Sequence, residues 1–229
     1  MKGLIVLSGL LVLAIALAGC TKEINPLGVA KTPNLGEEGG MQIQMPGEEE
    51  DELLEGQLED YSLSLSDIRP GYSKMSGPGT GYVDLEQVQG CMVTKQLAIS
   101  SGWQSSYATL FQKEEMIENA TGTSQELSTI IHAMEKYDSI QGARRSFAAS
   151  NQAAEKEHQM SENPEIGEES FAYTESEIMP LSKVTYNKKR IYFRTKNIVH
   201  SIKISKPSPE DLSQELLTYA DKVVAKTGE

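Results

Sequence analysis

Cysteine is nearly absent from this chain of 229 residues: Cys20 and Cys91 are the only two, too few for a disulfide-stapled small domain. Histidine is almost as scarce, with His132, His158 and His200 far apart, and no His-Glu-x-x-His or paired Cys-x-x-Cys occurs. No Gly-x-Ser-x-Gly elbow or Ser-x-x-Lys pair is present either. Basic charge is in deficit, 21 Lys and Arg against 33 Asp and Glu, so the counterion-releasing surface of a nucleic-acid binder is missing. A mean hydropathy of -0.38 excludes a polytopic membrane protein. From Thr21 to Asp60 there is no aromatic residue at all.

The charge deficit is unevenly placed. Residues 21–60 hold 2 basic and 11 acidic side chains, and residues 61–229 hold 18 basic and 22 acidic. The first stretch also repeats Gly, Pro and Glu, as in Gly36-Glu37-Glu38-Gly39-Gly40 and Glu48-Glu49-Glu50-Asp51-Glu52. Apolar content this low, with charge this uniform, does not offset the entropy of ordering a chain, and the stretch reads as a disordered spacer. The acidic run lacks the alternating oxygen ligands and central glycine of a calcium loop. Met41 and Met45, without cysteine or histidine beside them, make a poor copper site.

In front of the spacer stands Met1-Lys2, then an apolar run from Gly3 to Ala18, then Leu17-Ala18-Gly19-Cys20. A basic start, a short greasy core and small residues ahead of a fixed point follow the order of a secretory signal. The run is about 16 residues, short of the roughly 20 that cross a bilayer. Leu17-Ala18-Gly19-Cys20 resembles the lipobox of prokaryotic lipoproteins. That resemblance implies a diacylglyceryl thioether on Cys20, cleavage before it, and attachment to the cell membrane or outer membrane. Cys91 would then be the only free thiol of the mature chain, and beside Val88 and Met92 it reads as a small buried hydrophobe. The expected division is a signal peptide over 1–19, a lipid anchor and acidic linker over 20–60, and one globular domain over 61–229.

Within the domain the clearest unit is a hairpin. If Lys196-Asn197 is a two-residue turn, with Asn197 tolerating positive φ, Phe193 pairs with His200 and Ile191 with Ile202. Alternation then puts Ile191, Phe193, Ile198, Ile202 and Ile204 on one face and Tyr192, Arg194, Ser201 and Lys203 on the other. Ser208-Pro209-Glu210-Asp211 predicts the start of a helix with an inner stripe of Leu212, Leu216, Ala220 and Val223, widened by Leu217 and Val224. A second helix is expected from Asp138, with Gln141 in the capping-box position and Ile140, Ala143, Phe147 and Ala154 inside. Residues 127–137 fit either period, and their β-branched content favours a strand. Further strands are expected around Trp103–Phe111, Ser170–Thr174 and Lys183–Tyr186, a helix over Val83–Leu97, and a long loop over Glu155–Glu168. The sum is an α+β domain, a largely antiparallel sheet with packed helices.

Ile166-Gly167-Glu168-Glu169-Ser170, the hairpin through Ile198–Ile202 and the terminal amphipathic helix together resemble small secreted lipoproteins whose domain is similar to the PsbP-like α/β sandwich. The likeness spans roughly residues 128–227. It implies a sheet sandwiched by helices and a binding or accessory role, usually without catalysis.

Few residues point to chemistry. His132 and His200 approach each other if the strands form, and with a carboxylate they would make a metal site, although two strand histidines are more often structural. Gly77-Pro78-Gly79-Thr80-Gly81 lacks the Lys-Ser/Thr of a phosphate loop and reads as a surface loop. Lys188, Lys189, Arg190, Arg194 and Lys196 form a basic cluster on the hairpin, suited to headgroups or to keeping an exposed face soluble. Asn119-Ala120-Thr121 satisfies the N-glycosylation sequon. Read together, these features describe a membrane-anchored extracytoplasmic lipoprotein that binds a ligand or an envelope partner. No cofactor, metal, catalytic residue or nucleic-acid partner is assigned. The alternatives are an envelope hydrolase or other enzyme with scattered acid and base residues, and a structural envelope-assembly protein.

Overall fold

The computed structural model describes residues 52–84, 95–119, 122–161, 163–179, 183–207 and 210–228. The leader, Cys20 and the acidic spacer up to Asp51 lie outside them, as do Cys91 and most of the helix expected over Val83–Leu97. Glu52–Glu229 forms one compact unit.

Its centre is an eight-stranded antiparallel sheet. In chain order the elements are β1 (Ser73–Met75), β2 (Gly81–Val83), α1 (Lys95–Ser100), β3 (Trp103–Asn119), β4 (Gly122–Tyr137), α2 (Ile140–Glu157), β5 (Gln159–Met160), β6 (Glu169–Ile178), β7 (Thr185–Thr195), β8 (Ile198–Lys206) and α3 (Ser213–Thr227). The strands lie in the order β1-β3-β4-β8-β7-β6-β5, with β2 also on β3. This is the α+β class expected, with helices on a large antiparallel sheet.

The hairpin forms in the expected register, Phe193 opposite His200 and Ile191 opposite Ile202. Ile191, Phe193, Ile202 and Ile204 pack with Leu212, just ahead of α3, and with Leu216, Ala220 and Val223 of α3. On the opposite face Tyr192 and Val199 pack with Ala143, Phe147 and Ala154 of α2. Both faces are covered, so Tyr192 and Arg194 of the hairpin's outward set are buried too, while Ser201 and Lys203 stay partly exposed.

Several boundaries differ from the sequence reading. Positive φ falls on Lys196, at 50°, and not on Asn197. The Asn197 side chain instead ties two segments together, its Oδ1 accepting from Leu54 N at 2.9 Å and its Nδ2 donating to Tyr137 O at 2.9 Å. The helix expected from Asp138 begins at Ile140, because Ser139 is the cap and accepts from Gly142 N. The terminal helix begins at Ser213; Asp211 Oδ1 takes the Ser213 N–H at 2.9 Å, and Ser208-Pro209 lies outside the described residues. The long loop expected over Glu155–Glu168 is shortened, since fully buried Ala154 carries α2 on to Glu157 and Gln159–Met160 then pairs with β6.

The largest departure is at the front of the domain. Residues 52–60, read as linker, belong to the core: Leu54 and Leu58 pack with Tyr107, Met134 and Ile198. Burying each such side chain is worth about 1.5–3 kcal/mol, enough to hold a short acidic segment in place. Residues 52–72 thus form a strap. It starts at the β7–β8 turn and packs Leu58 beside Tyr107 and Met134. Further along, Leu63 and Ile68 pack in the core that α3 covers, and β1 follows.

Candidate functional site

The strands bring His132 and His200 together as the sequence reading anticipated. His132 sits opposite Ile202 and His200 opposite Met134, so both rings lie on the strap face of the sheet. Both are fully buried. Leu63 N–H donates to His132 Nδ1 at 3.2 Å, which leaves the proton of that ring on Nε2. His132 Nε2 donates in turn to His200 Nδ1 at 3.4 Å, and His200 Nε2 to Thr195 Oγ1 at 2.8 Å. One backbone amide fixes both tautomers. The His200 ring also stacks on Phe193, 4.7 Å between centroids.

Burial holds both rings neutral. It depresses His132 to about 3, assisted by the positive charge of Lys226 and opposed by Asp67, and pushes His200 well below its ordinary value, with His132 adding to the effect. Each Nδ1 lone pair is taken by a hydrogen bond and each Nε2 carries a proton, so neither ring offers a metal a free lone pair. No carboxylate is among the pair's hydrogen-bond partners, and among the described residues no three His, Cys, Asp or Glu side chains converge as ligands. The third histidine is elsewhere: His158 stacks on Tyr173 at 4.2 Å, with Glu175 at 3.8 Å, at the end of an aromatic row with Tyr192 and Phe171.

The basic cluster on the hairpin does not act as one patch. Lys188 pairs with Glu177, Lys189 with Ser213 and Asp211, and Arg190 donates to Tyr192 OH at 2.9 Å. Arg194 is wholly buried, with Glu168 at 2.5 Å, Glu169 at 3.0 Å and the Lys196 carbonyl at 2.7 Å. Lys188, Lys189, Arg190 and Arg194 are thus each engaged by groups of the domain itself. The loop Gly77–Gly81 closes on itself, the Gly77 amide donating to Thr80 Oγ1 and the Thr80 hydroxyl to Gly77 O.

An open concavity lies at the end of the sheet away from the β7–β8 turn. A groove of about 560 Å³ is lined by Arg69 and Tyr72 of the strap, Lys113, Glu115 and Met116 of β3, and Lys206 at the end of β8, among others. Beneath it the buried Glu215 carboxylate accepts from Lys206 Nζ at 2.5 Å and from Tyr219 OH at 2.8 Å, and Arg69 Nη1 stands 3.5 Å away. Tyr72 is pushed up to about 12, by burial first and then by the Glu215 and Glu115 charges, and stays a neutral hydroxyl. Lys113 is paired with Glu115 at 3.2 Å. Such a site binds by hydrogen bonds and charge at its walls, with Met116, 67% exposed, as an apolar lip.

Sequence reasoning named none of these residues, although two left a signal. Lys206 continues the inward alternation of Ile202 and Ile204, and Glu215 sits within the apolar stripe of α3 between Leu212 and Tyr219. A charge at an inward position is a flag that the hydrophobic pattern alone passes over. The sequon's Asn119 ends β3, opposite Gly122 at the tip of the β3–β4 hairpin, with Ala120 and Thr121 outside the described residues.

No protein-family model matches the sequence, and no curated protein matches it either. Among solved structures, the chain is similar to the extracellular domain of PknH from Mycobacterium tuberculosis, with a TM-score of 0.52 at 11% identity over 74% of this chain and 94% of that one. At this identity the likeness is one of fold.

Proposed function

We propose that the chain is a lipid-anchored extracytoplasmic protein, non-enzymatic, whose α+β domain binds a ligand or partner in the groove walled by Arg69, Tyr72, Lys113 and Lys206. The observation that carries this reading is polarity along the sheet. The first residues of the domain are pinned at the β7–β8 turn by the bond from Leu54 to Asn197, whereas the groove opens at Lys206, the other end of β8. Eight residue steps of strand put about 26 Å between them. The described chain thus begins at one end of the sheet, and the groove opens at the other.

Three further features support it. Leu17-Ala18-Gly19-Cys20 supplies an acylation point, and two or more acyl chains at about 0.8 kcal/mol per buried methylene anchor stably. The acidic spacer is repelled by an anionic surface and holds the domain off it. The similar PknH domain is itself extracellular. Labelling cells with a radioactive fatty acid tests the anchor: the native chain takes up label, and a Cys20→Ala chain that still labels overturns it. Backbone-amide shifts of the full chain, titrated with envelope extract, test the binding face. Changes centred on Tyr72, Lys113 and Lys206 are expected, and changes confined to α2 contradict the assignment.

A further inference from the structure

On the far side of Arg69 the groove continues into a second hollow of about 260 Å³, floored by Ile68 and Tyr219 and walled by Arg69 and Lys222. Its charges are not balanced. The Asp67 carboxylate is committed to Lys226 at 2.7 Å; burial works against its charge, but the Lys226 and Ser64 hydrogen bonds outweigh that and hold it at about 2. The Glu215 carboxylate is committed to Lys206 at 2.5 Å. Each acid that lines the hollow is therefore neutralised by a lysine that does not line it.

Two cations are left over. Arg69 is 62% exposed and makes one contact, at 3.5 Å, to a Glu215 oxygen that Lys206 already holds. Lys222 donates to the Asp67 carbonyl and stands 6.0 Å from the Tyr219 ring, and among the described residues it has no ion pair. Arg69 and Lys222 thus leave the hollow with an excess of positive charge, because each of its two acids is already held by a lysine outside it. Arg69 offers a planar fork of donors from the strap, and Lys222 a separate ammonium from α3, so the donors come from two directions. A tetrahedral oxyanion meets that arrangement better than a planar carboxylate does, and its charge matches theirs.

We infer that this hollow holds a phosphate ester, with Arg69 and Lys222 on its oxygens. The inference rests on the reading that the domain binds a ligand at this end of the sheet, and it names the chemistry of that ligand. The phosphate belongs either to a soluble ester or to a lipid headgroup.

The test is titration of the full chain with glycerol 3-phosphate, followed by calorimetry and amide shifts. Saturable binding is expected, weakening as salt rises. Arg69→Gln and Lys222→Met are each expected to weaken it tenfold or more, and Lys156→Met, on α2, to leave it within twofold. Circular dichroism of each variant separates lost binding from lost folding. Phosphatidylglycerol vesicles identify the source: a drop in vesicle binding between the native chain and Arg69→Gln, with no response to the soluble ester, assigns the headgroup. Acetate binding as tightly as glycerol 3-phosphate overturns the inference, as does binding indifferent to both substitutions, or no response to either probe. If shifts with envelope extract still centre on Tyr72, Lys113 and Lys206 in that case, the groove stands and the phosphate assignment alone falls.

Discussion

At the scale of single residues, the histidine pair makes the fold acid-sensitive in a calculable direction. An unfolded chain holds His132 near pH 6.5, and the folded one depresses it to about 3, with His200 shifted the same way. Between those values the unfolded state binds more protons, so stability rises with pH across the window and is lost as pH falls through it, by up to about 1.4 kcal/mol per pH unit for each ring. Urea midpoints are expected to fall from pH 7 to pH 4.5 and to level off above pH 7. A flat profile between pH 4.5 and 6.5 contradicts the neutral, sealed pair. Arg194 is a second buried polar residue whose partners matter to stability. It is fully buried, while Glu168 and Glu169 are about a third exposed. Arg194→Met lets those two carboxylates regain water, and a loss of about 2–3 kcal/mol is expected, below that for breaking a fully buried pair. Equilibrium denaturation measures it.

At the scale of elements, contacts between segments override local preference. Gly142 lies in the first turn of α2, where alanine is normally the better helix former by about 1 kcal/mol. A Cβ there runs into the Ser101 carbonyl oxygen, a backbone atom that cannot swing aside. Gly142→Ala is therefore expected to lower the thermal midpoint; a raised midpoint would show that α2 is free to shift. For the strap, Leu58→Ala removes a side chain that is 1% exposed, with an expected loss of about 2–4 kcal/mol in a denaturant titration. A loss below about 0.5 kcal/mol, the size of an ordinary surface change, would return residues 52–60 to the linker.

The same two elements mark what the sequence makes legible. The β7–β8 hairpin was readable because two strands had to agree under one turn, and the inner stripe of α3 because six apolar residues keep helical spacing. The strap was not readable, since Leu54 and Leu58 stand among acids and owe their burial to Tyr107, Met134 and Ile198, distant in sequence. The groove was missed for a related reason. Its cations come one each from the strap, β3 and β8, with Glu215 of α3 beneath, and no spacing along the chain records their meeting. The histidine pair was half legible: strand parity brought the rings together, but the Leu63 amide that fixes their protons belongs to the strap.

At the scale of the whole molecule, the described domain has two distinct ends. The chain enters the domain where Leu54 meets Asn197, and the groove and its cationic hollow lie at the opposite end of the sheet. The proposed anchor would give this polarity a purpose, because a tethered domain would present one end to its surroundings. The measurement that bears most directly on it is the intact mass of the protein purified from its own membranes, with the N-terminal peptide sequenced. The account predicts a chain lacking residues 1–19 and beginning at a Cys20 heavier by a diacylglyceryl group. A chain recovered from the soluble fraction with Met1 in place and Cys20 unmodified contradicts it.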